Sequence, residues 1–188
     1  MALLKNRKYK KGFSLLELLL VLGVIAGLIV SVFIIYPKVQ ASQRAEAEAK
    51  NISTIQAGIK SLYSSSAGYD GLTTDVLVKA KIFPDNMLIN DNGTIKPVNY
   101  FKGDITVMPI ANNQAGIGNY GFTIRYNNVP PAECIKIATA LQSGFSRIII
   151  QAPIANATIL TVEQIAQSCS ARASSTLIFQ EKVIKSIR

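Results

Sequence analysis

A single carboxylate, Glu17, lies within an otherwise uncharged apolar segment formed by residues 13–36. An ionised side chain is costly in a segment that can enter lipid, on the order of 2.5–3.5 kcal/mol on insertion scales. Acids in such positions usually have a partner and a role. We therefore expect Glu17 to pair with a group of opposite charge.

Two cysteines, Cys134 and Cys169, are the other residues whose chemistry is distinctive, and the chain has no histidine. Without histidine, Ser/His and Cys/His nucleophile pairs are impossible, and the usual four-ligand structural zinc sets are missing. In an exported domain two cysteines favour one disulfide, Cys134–Cys169, although two unlinked buried thiols are the alternative. No pattern supports catalysis, so we expect neither enzymatic activity nor a cofactor.

Two weaker patterns in the sequence concern ligand binding. Residues 116–121 match the Gly-x-Gly-x-x-Gly spacing of dinucleotide sites, which requires a strand before the motif and a helix after it. A strand-like sequence follows instead, which predicts a hairpin connection. Asp85, Asp91 and Asp104 could contribute oxygen ligands to a calcium loop, but nothing in their spacing fixes such a geometry.

The formal net charge of +9 is concentrated at the start of the chain. Five of the 20 basic residues precede the apolar segment, and without them 15 basic residues face 11 acidic ones, a net charge of +4. Basic residues before an apolar span are typical of the cytoplasmic flank of a membrane segment. We therefore do not expect sequence-specific binding of nucleic acid. The five residues are Lys5, Arg7, Lys8, Lys10 and Lys11.

The apolar segment has three interpretations. A cleaved secretory signal would have an apolar region of roughly 7–15 residues, which is shorter than this segment. A signal anchor fits, because residues 13–36 as a helix would reach about 36 Å, enough for a hydrocarbon core of about 30 Å. That interpretation leaves Gly12 and Glu17 unexplained.

The third interpretation rests on Gly12 and the residues that follow it, Phe-Ser-Leu-Leu-Glu. This junction resembles that of type IV prepilins, in which a membrane peptidase cleaves after the glycine and N-methylates the new first residue. The resemblance implies cleavage after Gly12, a mature N-terminus at Phe13, and Glu17 as the fifth mature residue. In a filament built from bundled apolar helices, the partner of Glu17 would then be the amine of Phe13 on an adjacent subunit.

Beyond the segment the sequence predicts an α+β domain. One helix is expected over residues 13–64, with Ile52, Ile55, Ile59 and Leu62 on its apolar face. The pairs Arg44–Glu48 and Glu46–Lys50 have the i,i+4 spacing of ion pairs on the exposed face. Residues 69–103 are expected to be mostly irregular, with turns at 91–93 and 102–103. Strands are predicted at 105–110, 122–126, 147–151 and 176–181, and short helices at 73–80, 133–142 and 160–168.

The C-terminal part resembles the disulfide-bounded region of type IVb pilins, the group of bundle-forming, toxin-coregulated and thin conjugative pilins. The resemblance is carried by a helical segment that opens at Cys134, a second that closes at Cys169, and a last strand. It implies a long N-terminal helix packed on a mainly antiparallel sheet. Two features depart from the group: the leader has only 12 residues, and Phe13 would be the first mature residue.

These observations predict a cleaved leader (1–12), a membrane and filament-core helix (13–37) and an exported globular domain (38–188). The resemblance implies a pilus subunit that is held in the inner membrane and then polymerises into an extracellular fibre for adhesion, aggregation or mating contact. Its partners would be copies of itself, a prepilin peptidase/N-methyltransferase and an inner-membrane assembly platform. The alternatives are a type II secretion pseudopilin, a minor pilin and a membrane-anchored binding protein that does not assemble.

Overall fold

A computed structural model describes residues 14–111, 120–151 and 161–182. The chain divides into two compact units, residues 1–40 and 41–188. Along the chain the helices are α1 (Leu15–Leu62), α2 (Thr74–Lys79), α3 (Pro131–Leu141) and α4 (Val162–Ser170). The strands are β1 (Leu88–Asp91), β2 (Thr94–Pro97), β3 (Ile105–Ile110), β4 (Gly121–Val129), β5 (Arg147–Gln151) and β6 (Ser175–Lys182).

The first unit contains the start of α1, whose described side chains from residue 15 to residue 36 are all exposed. Most of them are leucine, valine or isoleucine, so this stretch presents apolar surface on every side. By length and composition α1 can cross a membrane. Gly12 and Phe13 lie outside the described residues, so the predicted cleavage junction has no structural description here.

In the second unit α1 contributes its apolar face to the core. Ile52, Ile55 and Ile59 are fully buried and belong to the same cluster as Phe122 of β4. Burying an aliphatic side chain of this size contributes about 1.5–3 kcal/mol. The predicted apolar face is confirmed at these three isoleucines, whereas Leu62, the last residue of the helix, is 42% exposed.

The main sheet has four strands in the order β3-β4-β6-β5, and all neighbours are antiparallel. Its central strand β4 buries Phe122, Ile124 and Tyr126 at alternate positions, as expected for a strand with one face on a core. The pairing of β4 with β6 shifts between Tyr126 and Val129, and Asn128 has a φ of +58° there. This bulge ends the regular alternation of the strand.

The Gly-x-Gly-x-x-Gly pattern of residues 116–121 ends at the first residue of β4. Gly121 is the first residue of that strand, and β3 and β4 are antiparallel neighbours. The segment between them is therefore a hairpin connection, as predicted, and not the strand–helix junction of a dinucleotide site. The remaining residues of the motif, 116–119, lie outside the described part of the chain.

A two-stranded hairpin, β1–β2, forms where the sequence predicted mostly irregular structure. Its turn is Asn92-Gly93, with φ of +50° and +84°, the left-handed conformation that Asn-Gly adopts in tight hairpins. The turn was predicted, but the strands were not. Each strand has four residues and is largely exposed, so neither carries the apolar alternation by which a strand is recognised.

Among the described glycines of the second unit, Gly103 is the one where a methyl group should be tolerated least. A Cβ built there would overlap the backbone carbonyl of Asn127, which cannot move without disturbing β4. We expect Gly103→Ala to lower the free energy of unfolding by about 2 kcal/mol or more. Gly144→Ala is the matched control, because its Cβ would lie 3.6 Å from the nearest atom, the Leu141 carbonyl oxygen.

Urea unfolding of the two purified variants, followed by circular dichroism, measures this difference. Gly144→Ala should be neutral or stabilising by up to about 1 kcal/mol, since it restricts the unfolded chain. Equal stability of the two variants would show that the backbone around Asn127 yields to the added methyl group.

Candidate functional site

Glu17 lies in the first turn of α1 and is exposed. Its neighbours Leu16 and Leu18 are 73% and 55% exposed, so the carboxylate is surrounded along the helix by uncovered apolar side chains. A negative charge in the first turn is favourable with respect to the helix dipole. The structure thus shows Glu17 as an exposed acid among exposed apolar side chains at the start of α1.

The disulfide lies in the second unit and links α3 to α4. Cys134 and Cys169 are bonded, with Cα atoms 5.8 Å apart, and both are fully buried. The N-terminus of α4, at the opposite end from Cys169, is stabilised by a capping box, in which the Thr161 hydroxyl accepts from the Gln164 N–H and the Gln164 side chain accepts from the Thr161 N–H. The predicted disulfide and its flanking helices are thus both present in the structure.

Glu48 is the residue for which the sequence-based expectation was wrong. It was expected on the exposed face of α1, yet it is 3% exposed. Its Oε1 accepts from the Tyr100 N–H at 3.3 Å and from the Asn51 side chain at 3.4 Å. Residues 45, 48, 49 and 52 lie on one face of α1, and all four are buried. Glu48 therefore faces the loop after β2 and not the solvent.

Burial raises the pKa of the Glu48 carboxyl above its ordinary value of 4.5, and the Tyr126 hydroxyl, the Tyr100 N–H and the Asn51 amide partly oppose the rise. Burial and the nearby Glu48 charge also raise the pKa of Tyr126 well above 10. The Tyr126 hydroxyl and Glu48 Oε2 do not meet hydrogen-bond geometry with any described group. Their interaction is therefore electrostatic.

The raised pKa of Glu48 predicts a pH dependence of stability. Below pH 4.5 the carboxyl is protonated in both the folded and the unfolded chain, so its ionisation does not change the free energy of unfolding. As the pH rises above 4.5 the unfolded chain loses this proton first, so Glu48 progressively lowers stability until the folded carboxyl ionises as well. The neutral variant Glu48→Gln keeps an acceptor for the Tyr100 N–H but lacks this penalty.

We expect the stability of Glu48→Gln relative to the unsubstituted protein to increase from pH 4.5 upward and then to level off. Unfolding curves in urea from pH 4 to pH 8 measure this difference. Glu46→Gln is the control, because it makes the same chemical change at an exposed position on the same helix. A stability difference that falls with rising pH would contradict the assignment.

The loop beside Glu48 is organised by Asn99, which is 3% exposed. Its side-chain oxygen accepts from the N–H groups of Phe101 and Gly103 at 2.9 and 2.8 Å, and its amide donates to the Asn127 carbonyl at 2.6 Å. The loop presents Tyr100, which is 59% exposed and has the Arg44 guanidinium 5.2 Å from its ring centre. These polar contacts between distant segments had no signal in the sequence.

The three aspartates considered above, Asp85, Asp91 and Asp104, do not form a cluster in the described part of the chain. Among the described residues no cluster of three or more His, Cys, Asp or Glu side chains is placed to hold a metal ion. Asp91 instead pairs with Lys96 at 2.9 Å across the β1–β2 hairpin.

Comparison with protein families decides the identity of the second unit. A family model described as PilS N terminal matches residues 42–182, most of the chain. The chain belongs to the PilS N-terminal family. The match covers α3, the disulfide and α4, together with the strands of the main sheet.

Two curated relatives carry the description of major structural subunit of bundle-forming pilus, from Escherichia coli O127:H6 (strain E2348/69 / EPEC) and from Escherichia coli O111:H-. This PilS-family chain is 29% identical to each over 134 residues, which is 71% of its own length. The alignment spans 66% of the length of these relatives, slightly less than two thirds.

Solved structures show the same fold. The crystal structure of a type IVb pilin from Salmonella typhi matches with a TM-score of 0.58 and 27% identity, covering 73% of this chain and 99% of that one. The crystal structure of TcpA, a type IV pilin from Vibrio cholerae El Tor biotype, matches with a TM-score of 0.54 and covers 76% and 99%. At 14% identity the second match shows the fold alone. The resemblance to type IVb pilins and the α+β pilin fold predicted from the sequence are confirmed.

Proposed function

We propose that the chain is the structural subunit of a type IVb pilus. The observation that carries this proposal is the combination of a PilS-family domain with an apolar helix that begins with one acid and is exposed along residues 15–36. A helix that is apolar on every side has to be covered by lipid or by other helices. Both environments fit a subunit that is stored in the inner membrane and then moves into a fibre.

The proposed pathway begins with cleavage after Gly12 and N-methylation of Phe13 by a prepilin peptidase. This step leaves a positively charged amine at the new N-terminus and Glu17 one helical turn away. In the apolar interior of the fibre, an unpaired carboxylate and an unpaired ammonium would each be costly. Pairing Glu17 of one subunit with the Phe13 amine of its neighbour removes both costs and fixes the axial register of the incoming subunit.

The role is structural. The related bundle-forming pilus proteins are described as major structural subunits, and we propose the same position for this chain, without catalysis and without a cofactor. Its partners would be copies of itself, the processing peptidase and an inner-membrane assembly platform. The assembled pilus is extracellular and would serve adhesion, aggregation or mating contact.

The alternative functions differ in whether the chain is processed and in how much of a surface fibre it forms. A pseudopilin or a minor pilin would be processed but would not account for most of the mass of a surface fibre. A membrane-anchored binding protein would keep its first 12 residues and remain unassembled. The disulfide-bounded region of α3 and α4 favours the pilin over the pseudopilin.

Sheared surface fibres provide the test. We expect electron microscopy to show filaments and intact-mass analysis of their main protein to give a chain that begins with N-methylated Phe13. A cell-surface protein with the uncut N-terminus that never forms a multimer would overturn the proposal. A processed chain present only as a trace component of the fibres would identify a minor pilin.

A further inference from the structure

The tip of the β1–β2 hairpin places a chemically labile asparagine in full contact with solvent. Asn92 is the only asparagine of the chain that is followed by glycine, and Asn92 and Gly93 form the exposed turn of the hairpin. Asparagine is thermolabile, because the backbone nitrogen that follows it can attack its side-chain amide. Glycine has no side chain that would hinder this attack. The turn is therefore the position in the chain where the reaction meets the least steric hindrance.

One hydrogen bond of the hairpin involves the attacking nitrogen itself. The Gly93 N–H donates to the Oδ1 atom of Asn90 at 2.9 Å. The nitrogen has to lose this proton before it can attack the side chain of Asn92. Because an acceptor on the N–H stabilises the protonated nitrogen, breaking this hydrogen bond adds to the barrier of the reaction. The Asn90 side chain therefore opposes attack on Asn92.

The hairpin can open locally while the rest of the second unit stays folded. Strands β1 and β2 form a two-stranded sheet of their own, and the side chains of residues 89–96 are all exposed. A two-stranded hairpin is by itself only marginally stable in water. Segments with few buried apolar contacts open with a small free energy. Such opening releases the Gly93 N–H from Asn90 and lets the turn reach the conformation that reacts.

We propose that Asn92 is a site of spontaneous deamidation and that the side chain of Asn90 slows the reaction. The Gly93 nitrogen gives its proton to hydroxide and forms a bond with the Cγ atom of Asn92. The Cγ–Nδ2 bond then breaks, and the leaving nitrogen takes the electron pair, gains a proton from water and departs as ammonia. Water opens the resulting cyclic imide at either carbonyl carbon, which gives aspartate or isoaspartate. The net reaction consumes one water and releases one ammonia, with no oxidation or reduction.

Both products place a new negative charge beside an existing ion pair. Asp91 Oδ2 lies 2.9 Å from Lys96 Nζ, and both side chains are exposed. Isoaspartate also lengthens the backbone by one carbon, because the chain then runs through the side chain. Asn92 has a φ of +50° in this two-residue turn, a geometry that a longer backbone cannot keep. Deamidation thus changes the charge and the shape of the hairpin tip, and it goes beyond the proposed function because it does not require fibre assembly.

The first experiment measures deamidation of the unsubstituted full-length protein, which is purified in detergent and incubated at pH 8 and 37 °C. Residues 82–102 form one tryptic peptide, because trypsin does not cleave between Lys96 and Pro97. This peptide also contains three asparagines that are not followed by glycine, Asn86, Asn90 and Asn99. We expect fragment-ion masses to show conversion at Asn92 at least tenfold faster than at Asn86, which is also exposed. Rates within twofold of each other would overturn the proposed site.

The second experiment tests the role of Asn90 in the same assay. Asn90→Ala removes the acceptor of the Gly93 N–H, and we expect conversion at Asn92 to become about threefold faster or more. Asn90→Asp keeps an oxygen at this position and should stay within about twofold of the unsubstituted protein. Asn86→Ala is the matched control, because it removes an exposed asparagine that precedes β1.

Circular dichroism and retention of the Cys134–Cys169 bond show that each variant is folded before the rates are compared. An unchanged rate in Asn90→Ala would overturn the role of Asn90. Equal acceleration in Asn90→Asp or in Asn86→Ala would overturn it as well, because the rate would then not depend on the oxygen that accepts from Gly93.

Discussion

Replacing Glu17 by glutamine should abolish fibre assembly and leave cleavage after Gly12 intact. Glutamine preserves the size and hydrogen-bonding reach of the side chain but removes its charge. Breaking a buried ion pair by neutralising one partner costs about 3–5 kcal/mol, because the other charge remains buried without compensation. At 1.4 kcal/mol for each factor of ten, such a loss at each subunit contact corresponds to at least about a hundredfold weaker addition of subunits.

Fibre yield per cell and the intact mass of the pilin measure the two parts of this prediction separately. Glu163→Gln is the matched control, because Glu163 is an exposed glutamate in the first turn of α4. Processed Glu17→Gln pilin that accumulates in the inner membrane without fibres is the expected result. Normal fibre yield would show that Glu17 is an acid at the membrane edge without a partner in the fibre.

The same substitution should strengthen retention in the bilayer. A carboxylate within an apolar helix opposes membrane insertion by on the order of 2.5–3.5 kcal/mol, and the neutral amide is less costly. In the proposed pathway Glu17 would destabilise the chain in lipid and, once paired, would stabilise it in the fibre. Both effects would promote transfer from the membrane to the filament.

The parts of the fold that were predicted correctly are those whose signal is local. The isoleucine spacing on α1, the long apolar segment and the apolar runs of the four strands of the main sheet each reflect the environment of one element. The predicted boundaries of β3 and β5 match the structure, and the other predicted elements differ from it by no more than three residues at either end. The cysteine pairing was predictable because only one internal bond is possible between two cysteines.

The parts that were missed depend on contacts between distant segments. Glu48 has the spacing of a surface ion pair, and only the packing of α1 against the Tyr100 loop makes it a buried residue. Asn99 resembles any loop asparagine, although its side chain bonds to residues up to 28 positions away. The role of Glu17 was inferred from the sequence, and the structure adds its exposure.

Removing the Cys134–Cys169 bond should produce the largest loss of stability in the second unit. The cysteines are 35 positions apart, and for a loop of this size the chain-entropy model gives about 3.8 kcal/mol. For a domain of this size each kcal/mol corresponds to about 2–4 °C in the melting temperature, so we expect a decrease of roughly 8–15 °C. Replacing both cysteines by alanine is preferable to serine, because both positions are fully buried and a serine hydroxyl there would add a desolvation cost of its own.

Thermal unfolding of the double alanine variant, measured without reductant beside the unsubstituted protein, gives this difference. The serine double variant is the comparison, and it should be less stable than the alanine variant by the cost of burying two hydroxyls. Melting temperatures within 2 °C of the unsubstituted protein would mean that packing alone holds the two helices together.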